Sequence, residues 1–80
     1  MSTLLPKHLK AARALLDMSR EQFATRSNVS RSTIARFEQG EQVGSNNMAH
    51  IEKAIAELQV CLIHPDDNGF VGVKMKYDNL

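Results

Sequence analysis

Between Ser19 and Gly40 the chain reads SREQFATRSNVSRSTIARFEQG, and this stretch restricts the fold more than any other. Ser19 and Gln22 stand three residues apart, the spacing at which a hydroxyl and an amide cap each other's backbone at a helix start. Phe23 and Ala24 supply the inward face of a short helix that ends by Ser27-Asn28. Asn28 is one of the few non-glycine residue types that tolerate the left-handed conformation of a tight turn. Ser30 is the natural cap of a further helix over about 31–38, and Gly40 stops it. Arg31, Ser32 and Arg36 then look outward from that helix, while Val29, Ile34 and Phe37 face the core.

A first helix precedes this unit. Pro6 suits its first turn, Leu5, Leu9, Ala12 and Leu16 form one stripe, and the end is expected near Leu16-Asp17. After the polar loop 41–47, a fourth helix is expected from about Asn47 to Leu58. It carries Met48, Ile51, Ile55 and Leu58 on one face, a stripe read as core. The last residues change character. Val60-Cys61-Leu62-Ile63 favours a strand, and Val71, Val73, Met75 and Tyr77 alternate with Gly72, Lys74 and Lys76. Asn68-Gly69 between them favours a tight hairpin turn. The expected organisation is a helical unit over 1–59 and a β-hairpin over 60–80.

Eighty residues make one small domain, and 42% hydrophobic with 24% charged content argues against disorder. No apolar run approaches the roughly 20 residues that span a bilayer, and no signal-peptide core starts the chain. The single cysteine, Cys61, cannot build a disulfide framework, so a reducing, cytoplasmic setting is the expectation. Cys61 itself reads as a small buried hydrophobe. The net charge of +1 conceals a split: residues 1–40 hold seven basic groups against three acids, and residues 41–80 hold three against six. All five arginines lie between positions 13 and 36, which suggests a polyanionic partner for the first half. Arg26 and Lys10 are read as surface charge or peripheral phosphate contacts. His8, His50 and His64 show no metal-ligand spacing among themselves or with Cys61. No nucleophile with a base, glycine-rich phosphate loop or carboxylate pair stands out. Neither metal, cofactor nor catalysis is expected.

Two short helices joined by a few residues with a bend at Asn28 have the spacing of a helix-turn-helix, whose second helix enters the DNA major groove. Ala24 must be small where the helices cross, and Val29 and Ile34 must anchor the second helix from behind. Its outward N-terminal positions must reach base edges, which arginine does bidentately at guanine.

These residues carry a family resemblance. "LKAAR", "SREQFATRSNVSRSTIARFEQG" and "MAHIEKAIAELQV" make the stretch from Leu9 to Val60 resemble the phage-repressor type helix-turn-helix domain, the Cro/CI or XRE family of transcriptional regulators. The resemblance implies a mainly α, four- to five-helix repressor-like domain, here followed by a C-terminal β-hairpin. It implies that Arg31, Ser32 and Arg36 read bases, with Thr33 alongside touching a thymine methyl or a phosphate. Arg20 takes the place of a glutamine that contacts the DNA backbone, and Ser30, Ser45, Asn46 and Asn47 lie near phosphates. Arg13 and Glu38 match a charged pair that ties the first helix to the end of the third. The chain departs from the family at Asn28 (usually glycine), at Arg20, and at Asp17, where a glycine commonly precedes the second helix.

The hairpin has two available uses. Its apolar face (Val60, Leu62, Val73, Met75 and Tyr77 if Asn68-Gly69 is the turn) could fold onto the helices or pair with a second copy. A homodimer through Val60, Leu62, Val71, Val73, Met75 and Tyr77 is the favoured expectation, because one reading helix covers only a few base pairs. The expected function is thus a dimeric, sequence-specific regulator on a palindromic operator. It would repress by occluding a promoter, since no effector domain follows the hairpin. The alternative is a protein-interaction module, antitoxin-like or an anti-repressor partner, suggested by the near-neutral total charge and the apolar C-terminal segment.

Overall fold

The computed structural model describes residues 4–65 and 68–76. Four helices, α1 (Pro6–Leu15), α2 (Arg20–Ser27), α3 (Arg31–Glu38) and α4 (Ser45–Glu57), precede strands β1 (Val60–Ile63) and β2 (Gly72–Met75). The mainly helical class with a C-terminal hairpin is the one expected.

The helix ends explain the spacing of the elements. Ser19 Oγ accepts from the Gln22 N–H at 3.0 Å while the Gln22 side chain accepts from the Ser19 N–H at 2.8 Å, a complete capping box. Ser30 Oγ accepts from the Thr33 N–H at 3.1 Å and starts α3. Three helices stop by one device, a left-handed residue that lets the following N–H reach back over the last turn. Met18 N–H bonds to the Arg13 carbonyl, Val29 N–H to Ala24 and Glu41 N–H to Arg36, with Asp17 (φ 53), Asn28 (φ 59) and Gly40 (φ 94) at the turning points. Asp17 therefore adopts the left-handed backbone that favours glycine. Only the third turning point has a residue that adopts it without steric cost.

One inward position and one helix start differ from the sequence reading. Leu5 is the N-cap of α1 and 38% exposed, so the inward stripe there is Leu9, Ala12 and half-buried Leu16, joined by His8. No side chain of the Leu type can cap a helix. His8 does so instead, its Nδ1 accepting the Leu5 N–H at 3.0 Å. Helix α4 starts at Ser45, two residues before Asn47, because Gly44 (φ 86) turns the chain into it.

Leu9, Phe23, Ile34 and Ile51 are the large apolar side chains most deeply buried, surrounded by Leu4, Ala12, Ala24, Val29, Phe37, Val43, Ala54, Ile55 and Val60. Each fully buried Leu, Ile or Phe contributes about 1.5–3 kcal/mol over leaving it in water. Met48 and Leu58 lie at the margin of this cluster. Helix α1 packs on α3 and β2, α2 on α3 and α4, and α4 on β1. The close α2–α3 crossing explains why position 24 holds alanine.

In the hairpin, Val60 pairs with Met75, Cys61 with Lys74, Leu62 with Val73 and Ile63 with Gly72. A two-residue turn at Asn68-Gly69 would have set Ile63 opposite Lys74, so the tight turn is corrected to a longer connection over 64–71. Extending the ladder past Ile63 would bring Pro65, which has no N–H, into it. The register moves by two residues, an even shift, so each side chain keeps its expected face. Val60, Leu62 and Val73 face the protein's own core. Cys61 is exposed, opposite to the burial expected of it, because it lies on the outer face with Lys74.

Candidate nucleic-acid interface

Helix α3 divides its eight residues by face. Thr33, Ile34, Phe37 and Glu38 are buried, and Arg31, Ser32 and Arg36 are exposed. Ile34 is fully covered, which fixes the helix from behind. The outward set is the one the sequence assigned to base reading, with one exception. Thr33 is only 6% exposed, and its hydroxyl is engaged inside the protein.

That engagement is specific. Thr33 Oγ1 accepts from Ser30 Oγ at 2.8 Å and from Arg36 Nη2 at 3.2 Å. Ser30 Oγ also lies 3.3 Å from Ser32 Oγ. Arg36 thus folds back one turn toward the N-terminus of α3, where the positive end of the helix dipole lies. Arg31 extends from the same end, its side chain exposed.

A second polar cluster ties the three leading helices. Arg13 holds Glu38 bidentately, Nε to Oε2 at 2.7 Å and Nη2 to Oε1 at 2.9 Å, and its Nη1 donates to the Met18 carbonyl at 3.1 Å. Arg20 adds a further bond, Nε to Glu38 Oε1 at 2.9 Å. The Glu38 side chain is fully buried, whereas those of Arg13 and Arg20 are 17% and 42% exposed. Burial pushes the Glu38 carboxyl up, but the hydrogen bonds and charges of Arg13 and Arg20 outweigh it and hold the group below its usual 4.5. The expected Arg13–Glu38 pair is present. Arg20 is more than a surface contact: Glu38 holds its Nε, and its guanidinium remains partly open at the start of α2.

The residues assigned to phosphates around α4 separate. Gly44 gives α4 no side-chain cap, so the first N–H groups of a 13-residue helix point outward beside exposed Ser45 and Asn46. Asn47 is half-buried, and its amide donates to the Val43 carbonyl at 2.7 Å. It braces the α3–α4 loop. Ser30 is exposed but serves first as the cap of α3.

Of the residues assigned to dimerisation, Val60, Leu62 and Val73 pack on their own helices, Met75 is half-buried and Val71 is 38% exposed. Tyr77 lies outside the described residues. The exposed large apolar side chains of the hairpin are instead Phe70, 71% exposed, Val71 and Ile63.

His8 carries a role that residue spacing did not show. Fully buried, it donates from Nε2 to the Ile63 carbonyl at 2.9 Å while Nδ1 takes the Leu5 N–H, so one tautomer satisfies both bonds. It joins the start of α1 to the end of β1, and the ring of His64 meets it edge-on with centroids 5.3 Å apart. A histidine three residues beyond a helix start was the available signal for the cap. Nothing local marked its contact 55 residues away.

Among the described residues no group of three or more His, Cys, Asp or Glu side chains could hold a metal ion, and no helix is long and apolar enough to cross a membrane. The family model described as helix-turn-helix matches residues 9–56, from α1 through nearly all of α4 and more than half of the chain. No curated protein matches the chain.

Proposed function

The chain belongs to the helix-turn-helix family of the XRE and Cro/CI type, a DNA-binding regulatory family rather than an enzyme family, and from that premise we propose that it is a sequence-specific repressor binding a palindromic operator as a dimer. The observation that carries the reading is the division of α3, with Arg31, Ser32 and Arg36 exposed over a buried Ile34–Phe37 face. Arg31 and Arg36 read base edges in the major groove, and Ser32 contacts a base beside them. Arg20, Ser30, Ser45, Asn46 and the open N-terminus of α4 hold phosphates on either side. Repression follows from occupancy, since a promoter covered by the dimer is closed to other proteins.

Two copies related by a two-fold axis would read half-sites about 34 Å apart. Because Val60, Leu62 and Val73 are engaged within the chain, the dimer contact falls to the exposed residues Ile63, Phe70 and Val71.

Binding measured on a selected duplex and on random duplexes tests the assignment. Arg36→Ala is expected to cost about 1–3 kcal/mol on the selected duplex alone, while Arg20→Ala weakens both by a similar factor. Equal, small effects of the two changes would overturn it. The exposed Phe70 favours one second reading, a module that binds another protein. Failure to retain any duplex from a random pool at low salt would select that reading.

A further inference from the structure

We propose that Thr33 is the positioning residue that sets which base Arg36 reads. The inference rests on the DNA-reading assignment of Arg36 and adds how its side chain is aimed.

An arginine on an exposed helix face ordinarily samples many rotamers, and ordering it on binding costs part of what its contacts gain. Arg36 is held before DNA arrives. Its Nη2 donates to Thr33 Oγ1 at 3.2 Å, and that oxygen is itself fixed, being 94% covered with its residue and bonded to Ser30 Oγ at 2.8 Å. Ser30 is in turn locked by its capping bond to the Thr33 N–H at 3.1 Å. The chain Ser30–Thr33–Arg36 therefore uses the helix cap as an anchor for the guanidinium. Only one edge of the fork is engaged, which leaves the other donors to meet two acceptors of a guanine.

Thr33 faces away from solvent, so it does not itself reach a base edge. Its hydroxyl decides where Arg36 points and contributes no charge. Loss of that hydroxyl should accordingly change discrimination between sequences without changing the number of phosphates neutralised. Arg31 on the same face has no such hydroxyl partner within the helix and should be indifferent to the change.

Thr33→Val tests this directly, since it keeps the β-branched shape in a covered position and leaves the Thr33 backbone N–H on Ser30. The probes are a duplex selected by the native protein from a random pool, its variant changed at the base pair that Arg36→Ala identifies, and a random-sequence duplex. The ratio of affinities for the first two is expected to narrow about tenfold, equivalent to about 1.4 kcal/mol. Affinity for random duplex and the slope of log K against log salt should be unchanged. Thr33→Ser, which restores the hydroxyl, should recover most of the ratio. If Thr33→Val does not fold, Thr33→Ala provides the same comparison with its thermal unfolding checked first. An unchanged ratio overturns the proposal, as does an equal loss on selected and random duplexes. If Arg36→Ala also leaves discrimination intact, the base-reading assignment has failed. If Arg36→Ala abolishes discrimination while Thr33→Val preserves it, the positioning role alone has failed.

Discussion

The helix-turn-helix and the hairpin of this chain are secured by different means. Helices α1, α2 and α3 meet at a buried carboxylate that three arginine nitrogens hold, and the cap of α3 continues as a bonded chain to Arg36. The hairpin is held by Val60, Leu62 and Val73 on one face and by the His8–Ile63 bond at one end. Directional polar bonds fix orientations, which the proposed reading of base edges requires. Apolar contact fixes position more loosely, and it leaves Phe70, Val71 and Ile63 of the hairpin exposed. On the proposed function, precision is concentrated at the reading helix and adaptability at the surface offered to a second copy.

The contrast predicts a ranking of effects. Glu38→Ala should be the most damaging change, about 3–5 kcal/mol by denaturant unfolding, because it leaves Arg13 and Arg20 without their shared partner. The same carboxylate sets an acid limit. Its folded pKa lies below 4.5, so its stabilisation is complete above the unfolded value and is lost as pH falls through the folded one. Unfolding curves taken downward from pH 5 should show this loss in the native protein and not in Glu38→Gln. A flat response in the native protein would remove the ionised cluster from the account.

His8→Ala comes next, at about 2–3 kcal/mol, since it removes a helix cap, a hydrogen bond and buried volume together. Its amide exchange should rise most at the start of α1 and in β1, with α2 and α3 less affected. Uniform acceleration across the chain would mean that hairpin and helices open as one unit. Asp17→Gly should stabilise by about 0.5 kcal/mol, because glycine adopts the left-handed turning point without the side-chain clash. Phe70→Ser should change monomer stability by less than about 0.5 kcal/mol. Its effect belongs in sedimentation, where the full-length protein at tens of micromolar should dissociate. A native protein that sediments as a monomer at that concentration contradicts the dimer.

How much of this was legible in the sequence follows the range of each interaction. Ser19 with Gln22, Ser30, Asn28 and Gly40 act within a few residues, so α2 and α3 could be read from spacing alone. The Arg13–Glu38 pair came from family resemblance, yet Arg20 joining it did not, because a bond across 18 residues leaves no periodic trace. Thr33 was set beside the base-reading residues by the family resemblance, and its burial and its bonds to Ser30 and Arg36 show only in the packed structure. The hairpin faces survived an incorrect turn because the register error was even. Cys61 was assigned burial by residue type, and the pairing opposite Lys74 reversed it.

Selection of bound duplexes from a random library, run in parallel on the native protein and on Arg36→Ala, tests the central claim most directly. The native protein should enrich a two-fold symmetric sequence with half-sites one helical turn apart, and Arg36→Ala should lose preference at one base pair in each half-site while keeping the rest. Enrichment of no sequence by the native protein, or the same sequence unaltered by the substitution, would contradict the account.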